Sequence, residues 1–222
     1  MPDPELAIII ELPFEIDSSI FLTPVRDNKC PLDILIERLK KIVPSNDMIF
    51  LTGHESHHVQ YGSFSAMNGL FLFRTAEPGR LVQFVRAASS RRMKTAIRIN
   101  ACHVFADPEL LKGMLDFHNK QSVAYTCFDG IPAWLGGDIF ERADVIDAFV
   151  LAEEFNKLDE DPAQFILSQS ESFKTASYRP KVWGRWKNVS LSLDTPASAA
   201  VLIESIRRAP DPLSVSYRDF LE

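Results

Sequence analysis

The stretch Leu6-Ala7-Ile8-Ile9-Ile10-Glu11-Leu12 decides the fold class of this 222-residue chain. It is a nearly continuous apolar run that ends at Pro13, which is typical of a strand buried on both faces of a parallel sheet. Further strands are predicted at 48–52, 69–74, 95–100, 122–128 and 189–193, and helices at 33–43, 79–89, 107–118, 145–158 and 199–208. This alternation predicts an α/β three-layer sandwich with a mainly parallel central sheet.

Composition favours one ordinary globular domain over residues 1–222, because 46% of the positions are hydrophobic and 24% are charged. The formal net charge is −6, with no basic stripe, so nucleic acid is not expected as a partner. The apolar run at 6–10 is too short for a membrane span and lacks the flanks of a signal peptide. Three cysteines without paired spacing indicate free thiols and a cytoplasmic setting.

Generic catalytic motifs are absent from the sequence: there is no Walker A motif, no G-x-G-x-x-G and no G-x-S-x-G. In a parallel sheet, ligands bind beyond the carboxyl ends of the strands. The candidate positions therefore follow Leu12, Thr52, Arg74, Asn100 and Leu193.

Four blocks of sequence resemble one known family, in the family's own order. They are 28–39 (NKCPLDILIERL), 73–88 (FRTAEPGRLVQFVRAA), 98–111 (RINACHVFADPELL) and 191–196 (LSLDTP). The chain thereby resembles the spore-coat polysaccharide biosynthesis protein F family, whose members are cytidylyltransferase-like proteins of the nucleotide-diphospho-sugar transferase fold. The resemblance implies transfer of CMP from CTP to a sugar with loss of pyrophosphate, in cytoplasmic synthesis of activated sugars for polysaccharides or glycoproteins.

The resemblance also implies which residues form the site. Asp194 corresponds to a metal-binding aspartate, with Mg²⁺ or Mn²⁺ entering together with a bound nucleotide. Lys29 and Arg26 are the candidate catalytic cations at the phosphates. The candidate nucleotide-binding residues are Leu12, Pro13, Phe14, Thr52, Thr75 and Glu77, and the candidate substrate-binding residues are Arg98, Asn100, Cys102 and Trp134.

The sequence departs from the family pattern where the chemistry should occur. The segment 12–21 (LPFEIDSSIF) has no Gly, Arg or Lys, and Glu15 and Asp17 would repel a triphosphate. Cys102 stands where the family has its other metal-binding aspartate, and magnesium prefers carboxylate oxygen to sulfur. Two hypotheses follow: a catalytically deficient relative that binds a nucleotide or nucleotide sugar, or an active nucleotidyltransferase with altered ligands.

Several of these residues also have purely structural interpretations. Asp194 precedes Thr195-Pro196 at a helix start and could be part of a cap, as is expected of Asp107. Lys29 could be a solvated turn residue, and Arg98 could simply place a charge at a strand edge.

Aromatic and histidine residues leave further alternatives open. Trp134, Trp183 and Trp186 could stack on a sugar, or could form core or dimer contacts. His54, His57 and His58 could bind a metal, but a polar surface segment is favoured. A homodimer and a glycan-biosynthesis partner protein are both compatible with the sequence.

Overall fold

The computed structural model describes residues 5–13, 16, 19–53, 58–91, 93–182 and 185–221, and within them the chain forms a seven-stranded sheet. The strands are β1 (Leu6–Glu11), β2 (Met48–Thr52), β3 (Phe71–Arg74), β4 (Thr95–Asn100), β5 (Tyr125–Phe128), β6 (Asp138–Glu141) and β7 (Thr175–Tyr178). Their order is β3-β2-β1-β4-β6-β5-β7. β6 runs antiparallel to both neighbours and the other pairs are parallel, so the predicted mainly parallel sheet is confirmed.

Eight helices complete the described part of the chain. They are α1 (Ser19–Leu22), α2 (Pro31–Leu39), α3 (His58–Asn68), α4 (Arg80–Ser89), α5 (Pro108–Gln121), α6 (Arg142–Glu154), α7 (Pro162–Ser168) and α8 (Pro196–Arg208). None of them is both long and apolar enough to cross a membrane.

Two hydrophobic cores sandwich the sheet, and β1 belongs to both. Ile8 and Ile10 are fully buried in the layer that contains α2, α5 and α8, whereas Ala7 and Ile9 face the layer of α4, α6 and α7. Successive side chains of a strand point to opposite faces, so an apolar run is what a strand between two helix layers requires. The predicted three-layer α/β sandwich is thus confirmed.

Some elements differ from the predictions. The strand expected at Val189–Leu193 is absent from the sheet; Leu193 instead donates one backbone hydrogen bond to Cys102 (3.2 Å), and Leu191 and Leu193 are buried as core residues of a loop. The helix expected from Asp33 begins earlier, at Pro31, because the Asp33 carboxylate accepts the backbone N–H of Cys30 and stabilises the first turn.

The first four strands end at one edge of the sheet because they are all parallel. In the register, Glu11 lies beside Asn100 on one side and beside Leu51 on the other, and Thr52 lies beside Arg74. The prediction that these strand ends share an edge is therefore confirmed.

The antiparallel β6 brings its amino end to the same edge. Gly137, directly before it, packs so closely on β4 that an added Cβ would lie 2.2 Å from the backbone oxygen of Arg98. The absence of a side chain at Gly137 lets Asp138 start β6 beside the Arg98 side chain.

Candidate functional site

A cleft of about 480 Å³ opens at this edge of the sheet. The described residues that line it are Glu11, Leu12, Pro13, Ile16, Leu51, Arg80, Gln83, Asn100 and Asp194. The ends of β1, β2 and β4 thus border the cleft, as expected. Arg74, at the end of β3, is exposed but does not belong to this described lining, because β3 is an edge strand and is separated from β1 by β2.

Asp194 lies in the cleft and is not the cap of the following helix. The N-cap of α8 is Thr195, whose hydroxyl oxygen accepts the backbone N–H of Ser198 (3.2 Å). The interpretation of Asp194 as a capping residue is therefore wrong, since Thr195 satisfies the helix end and leaves the Asp194 carboxylate exposed toward the cleft. Asp107, in contrast, caps α5 as predicted.

Cys102 lies behind Asp194, one turn beyond the end of β4. Its side chain is buried, and burial together with the hydrogen-bonded Asp194 carboxylate raises the pKa of the thiol to about 12. The thiol is therefore protonated at neutral pH. The backbone joins the two positions as well, because the N–H of Leu193 donates to the Cys102 oxygen (3.2 Å). In the neighbouring His103, burial lowers the pKa of the imidazole, so this ring is neutral as well.

This pair does not fit the metal centre that the fold family implies. Magnesium takes oxygen ligands, and the residue facing Asp194 is a protonated thiol. Among the described residues there is no group of three or more His, Cys, Asp or Glu side chains that could hold a metal ion. Asp194 and Cys102 alone therefore do not form a magnesium site.

Magnesium titration of the free protein tests this conclusion. We expect binding weaker than about 1 mM by isothermal titration calorimetry, because a single exposed carboxylate must compete with the full hydration shell of the ion. The matched variant Cys102→Asp restores a second carboxylate and should bind more tightly. Micromolar Mg²⁺ binding by the unmodified protein would contradict the prediction.

Beneath the cleft, Arg98 is held by carboxylates from three different elements. Its guanidinium contacts Asp138 (2.7 Å), Asp161 (2.8 Å) and Glu11 (3.8 Å), and the side chain is only 11% exposed. Burial alone would lower the pKa of Arg98, but Asp138 and Glu11 raise it well above its ordinary value. Since these internal partners occupy the guanidinium, Arg98 supports the cleft from below and is not part of its described lining, contrary to the substrate-binding expectation.

The pKa values of the carboxyl groups around Arg98 are shifted in different directions. Glu11 reaches the cleft, and burial raises the pKa of its carboxyl group although Arg98 opposes that effect. For Asp161, burial acts in the same direction but the contacts with Arg98 outweigh it, so the pKa of Asp161 is lowered. The floor of the cleft therefore contains an ionised pair, Arg98 with Asp161. It also contains the carboxyl group of Glu11, in which burial disfavours the charged form.

Neither cation predicted at the phosphates lines the cleft. The Arg26 guanidinium donates to backbone oxygens at the carboxyl end of α8, namely those of Ile206, Arg207, Ala209 and Pro210. It thus satisfies carbonyl groups that the end of a helix leaves free. Lys29 closes a tight turn through its backbone, with Asp27 and Asn28 at positive φ.

Thr52, Thr75 and Glu77 build the connection between the sheet and α4. The buried Thr75 donates its backbone N–H to the oxygen of Thr52 (3.2 Å), and its hydroxyl accepts the N–H of Glu77 (3.2 Å). The Glu77 carboxylate pairs with Arg86 (2.8 Å). These three predicted nucleotide-binding residues lie near the cleft edge without lining it, whereas Leu12 and Pro13 do line it.

Trp134 is a core residue. It is 4% exposed, its indole N–H donates to the oxygen of Val189 (3.1 Å), and its ring meets Phe220 edge-on at 4.8 Å. The structure thus places Trp134 in the core, outside the described lining of the cleft. Asn100, in contrast, both lines the cleft and accepts the backbone N–H of Cys102 (2.9 Å).

The remaining predicted positions fall outside the described residues. These are Phe14, Glu15, Asp17, His54, His57, Trp183 and the side chain of His58.

Sequence reasoning missed five lining residues: Glu11, Ile16, Leu51, Arg80 and Gln83. Glu11 and Arg80 had a usable signal, since a charged residue directly at a strand end, or in the first turn of the next helix, reaches the ligand edge of a parallel sheet.

Sequence comparison finds two distant relatives. An uncharacterised protein of Methanocaldococcus jannaschii is 22% identical over 195 residues, which cover 88% of this chain and 79% of that protein. The spore coat polysaccharide biosynthesis protein SpsF of Bacillus subtilis is 25% identical over 130 residues, 57% of this chain and 54% of the relative. The sequence matches no family model.

Solved structures share the fold along almost the whole chain. A cytidylyltransferase from Leptospira borgpetersenii superposes with a TM-score of 0.83 at 17% identity, covering 98% of this chain and 92% of its own. CMP:2-keto-3-deoxy-manno-octonic acid synthetase, solved with CTP, gives 0.64 at 10% identity over 92% and 99% of the two chains. A Mycobacterium tuberculosis protein solved with manganese gives 0.58 at 13%, over 90% and 99%. The expected likeness to cytidylyltransferase-like proteins of the nucleotide-diphospho-sugar transferase fold is thereby confirmed.

Proposed function

We propose that this cytidylyltransferase-like chain binds a nucleotide or a nucleotide sugar in its cleft without efficiently transferring CMP from CTP. The observation that carries the proposal is the position of Cys102 next to Asp194 at the cleft. The backbone N–H of Leu193 donates to the Cys102 oxygen (3.2 Å), so a thiol lies beside Asp194 where the resemblance implies a second carboxylate, while Asp194 itself lines the cleft. Such a protein would keep a cleft at the ligand edge of the sheet while lacking one of the two carboxylates that the resemblance implies for a metal.

The charge of the cleft supports a ligand of moderate charge. Glu11 and Asp194 line it, opposed among the described lining residues by Arg80. A nucleoside diphospho-sugar brings less negative charge than a free triphosphate, so it meets less repulsion from these carboxylates. The preferred ligand class is therefore a nucleotide sugar.

The biological setting follows from the likeness to the spore coat protein, and it is part of the proposal. We infer a role in surface polysaccharide or glycan biosynthesis in the cytoplasm, with the chain acting as a binding or assembly module. A second copy of the chain or a glycan-biosynthesis protein would be its partner.

A thermal-shift and calorimetry screen tests the proposed binding. CDP-glucose and UDP-glucose are compared with CTP and UTP, each with and without Mg²⁺ or Mn²⁺. A sugar nucleotide at a hundred times its dissociation constant should add about 2.7 kcal/mol to the free energy of unfolding. We expect the sugar nucleotides to bind more tightly than the triphosphates.

Two tryptophan variants locate the binding in the cleft. Ile16→Trp fills the cleft and should abolish the shift, whereas Val201→Trp, at an exposed position on α8, should leave it unchanged. Binding that survives Ile16→Trp, or the absence of any shift with all four nucleotides, would refute the proposal.

An active nucleotidyltransferase remains the second candidate. It is favoured by one observation: the Asp194 carboxylate is not used by the α8 cap and lies in the same cleft as Glu11. Assay of pyrophosphate release separates the two candidates.

A further inference from the structure

Arg80 is the cation among the described lining residues of the cleft, and its side chain is more than half exposed. It lies in the first turn of α4 and is the one Lys or Arg among the described lining residues. Its side chain is 56% exposed, and one guanidinium nitrogen contacts the Asp161 carboxylate at 3.2 Å. The Asp161 side chain is only 11% exposed, so it is the guanidinium of Arg80 that water can solvate when the pair opens.

Asp161 does not depend on Arg80 for its partners. Its two oxygens also accept hydrogen bonds from Arg98 (2.8 and 3.3 Å) and from the backbone N–H groups of Ala163 (2.9 Å) and Gln164 (3.4 Å). When Arg80 leaves, the carboxylate therefore remains paired and hydrogen-bonded. Arg80 is thus free to exchange its partner at little cost, in contrast to the buried Arg98.

The two cations predicted to bind the phosphates, Arg26 and Lys29, do not line the described part of the cleft. Arg26 is engaged at the end of α8, and Lys29 is not part of the described lining. A phosphate group entering a cleft that contains Glu11 and Asp194 needs a positive partner there.

We propose that Arg80 binds the diphosphate group of the ligand by exchanging Asp161 for phosphate oxygens. This inference rests on the proposed nucleotide binding and names the residue that contacts the phosphate groups of the ligand. A guanidinium offers paired N–H donors in a plane, which match two phosphate oxygens in the way that they match a carboxylate. The class of ligand is a nucleoside diphosphate, free or carrying a sugar.

The test compares two arginine variants of the full chain. Arg80→Gln removes the cleft cation, while Arg86→Gln removes an arginine of the same helix that is 59% exposed and also ion-paired. Calorimetry with inorganic pyrophosphate, CDP, UDP, GDP and ADP measures binding to each protein. We expect Arg80→Gln to weaken binding of the bound diphosphates about tenfold and to reduce its dependence on salt, with Arg86→Gln unchanged.

The outcomes separate this inference from the proposed function. Arg80→Lys keeps the charge without the paired donors and should recover part of the affinity. Equal affinity of Arg80→Gln and the unmodified protein would overturn the role of Arg80 and leave nucleotide binding standing. If the unmodified protein binds neither pyrophosphate nor any of the four diphosphates, the role of Arg80 is overturned, while the proposed function is decided separately by the sugar nucleotides of the thermal-shift screen.

Discussion

Arg98→Met is expected to lower the free energy of unfolding by about 3–5 kcal/mol, because it leaves partly buried carboxylates without their cation. Asp138 and Asp161 contact the guanidinium at 2.7 and 2.8 Å, and Glu11 lies 3.8 Å away. The guanidinium also lies over the rings of Phe84 and Phe140, so methionine preserves apolar packing while removing the charge. Urea denaturation at pH 7 measures the loss.

A surface arginine provides the matched control for this measurement. Arg218 forms an ion pair with Glu109 at 2.5 Å, but both side chains are more than half exposed. Arg218→Met should therefore leave the free energy of unfolding almost unchanged. A comparably small loss for Arg98→Met would show that the ion pairs of Arg98 with Asp138 and Asp161 do not stabilise the fold.

Pyrophosphate release from CTP with common sugar acceptors is expected to be undetectable above the uncatalysed rate. Loss of one preorganised donor typically costs about a hundredfold to a thousandfold in rate. In this chain the segment 12–21 has no Gly, Arg or Lys, and a protonated thiol faces Asp194. A coupled pyrophosphate assay, run with Mg²⁺ and with Mn²⁺, measures the rate.

The informative comparison is with a repaired variant. Cys102→Asp combined with a grafted glycine-rich basic loop at residues 12–21 should gain activity over the unmodified protein. Robust turnover by the unmodified protein that Asp194→Ala abolishes would establish the active-enzyme candidate instead.

Much of the fold was predictable because its decisive signals are local. The apolar run of β1 and the strands at 48–52 and 95–100 agree with the structure closely, since residues buried on both faces of a sheet must all be apolar. The strands β6 (DIFE) and β7 (TASY) were missed because they are both short and less apolar than the equally short β3 (FLFR). At 189–193 a strand was predicted that the structure does not have. The alternation of apolar and polar residues there arises because Leu191 and Leu193 are buried in a loop.

The site was less predictable because its contacts join distant parts of the chain. The strand ends located the cleft, and Asp194, Asn100, Leu12 and Pro13 line it as expected. The sequence does not reveal that Arg98 is enclosed by carboxylates from β1, β6 and the start of α7, or that Arg26 reaches the carbonyl groups beyond α8. Such pairings depend on tertiary geometry, which no local spacing encodes.

The central position of β1 also determines the order in which the protein can fold during synthesis. β1 pairs with β2 and with β4, and the second pairing joins residues as distant as Leu6 and Thr95. The most apolar strand thus leaves the ribosome first, while its partner β4 is still to be made. Contacts between residues so far apart form slowly, and an uncovered apolar strand favours aggregation. β1 therefore has no β4 beside it until residue 100 has been synthesised.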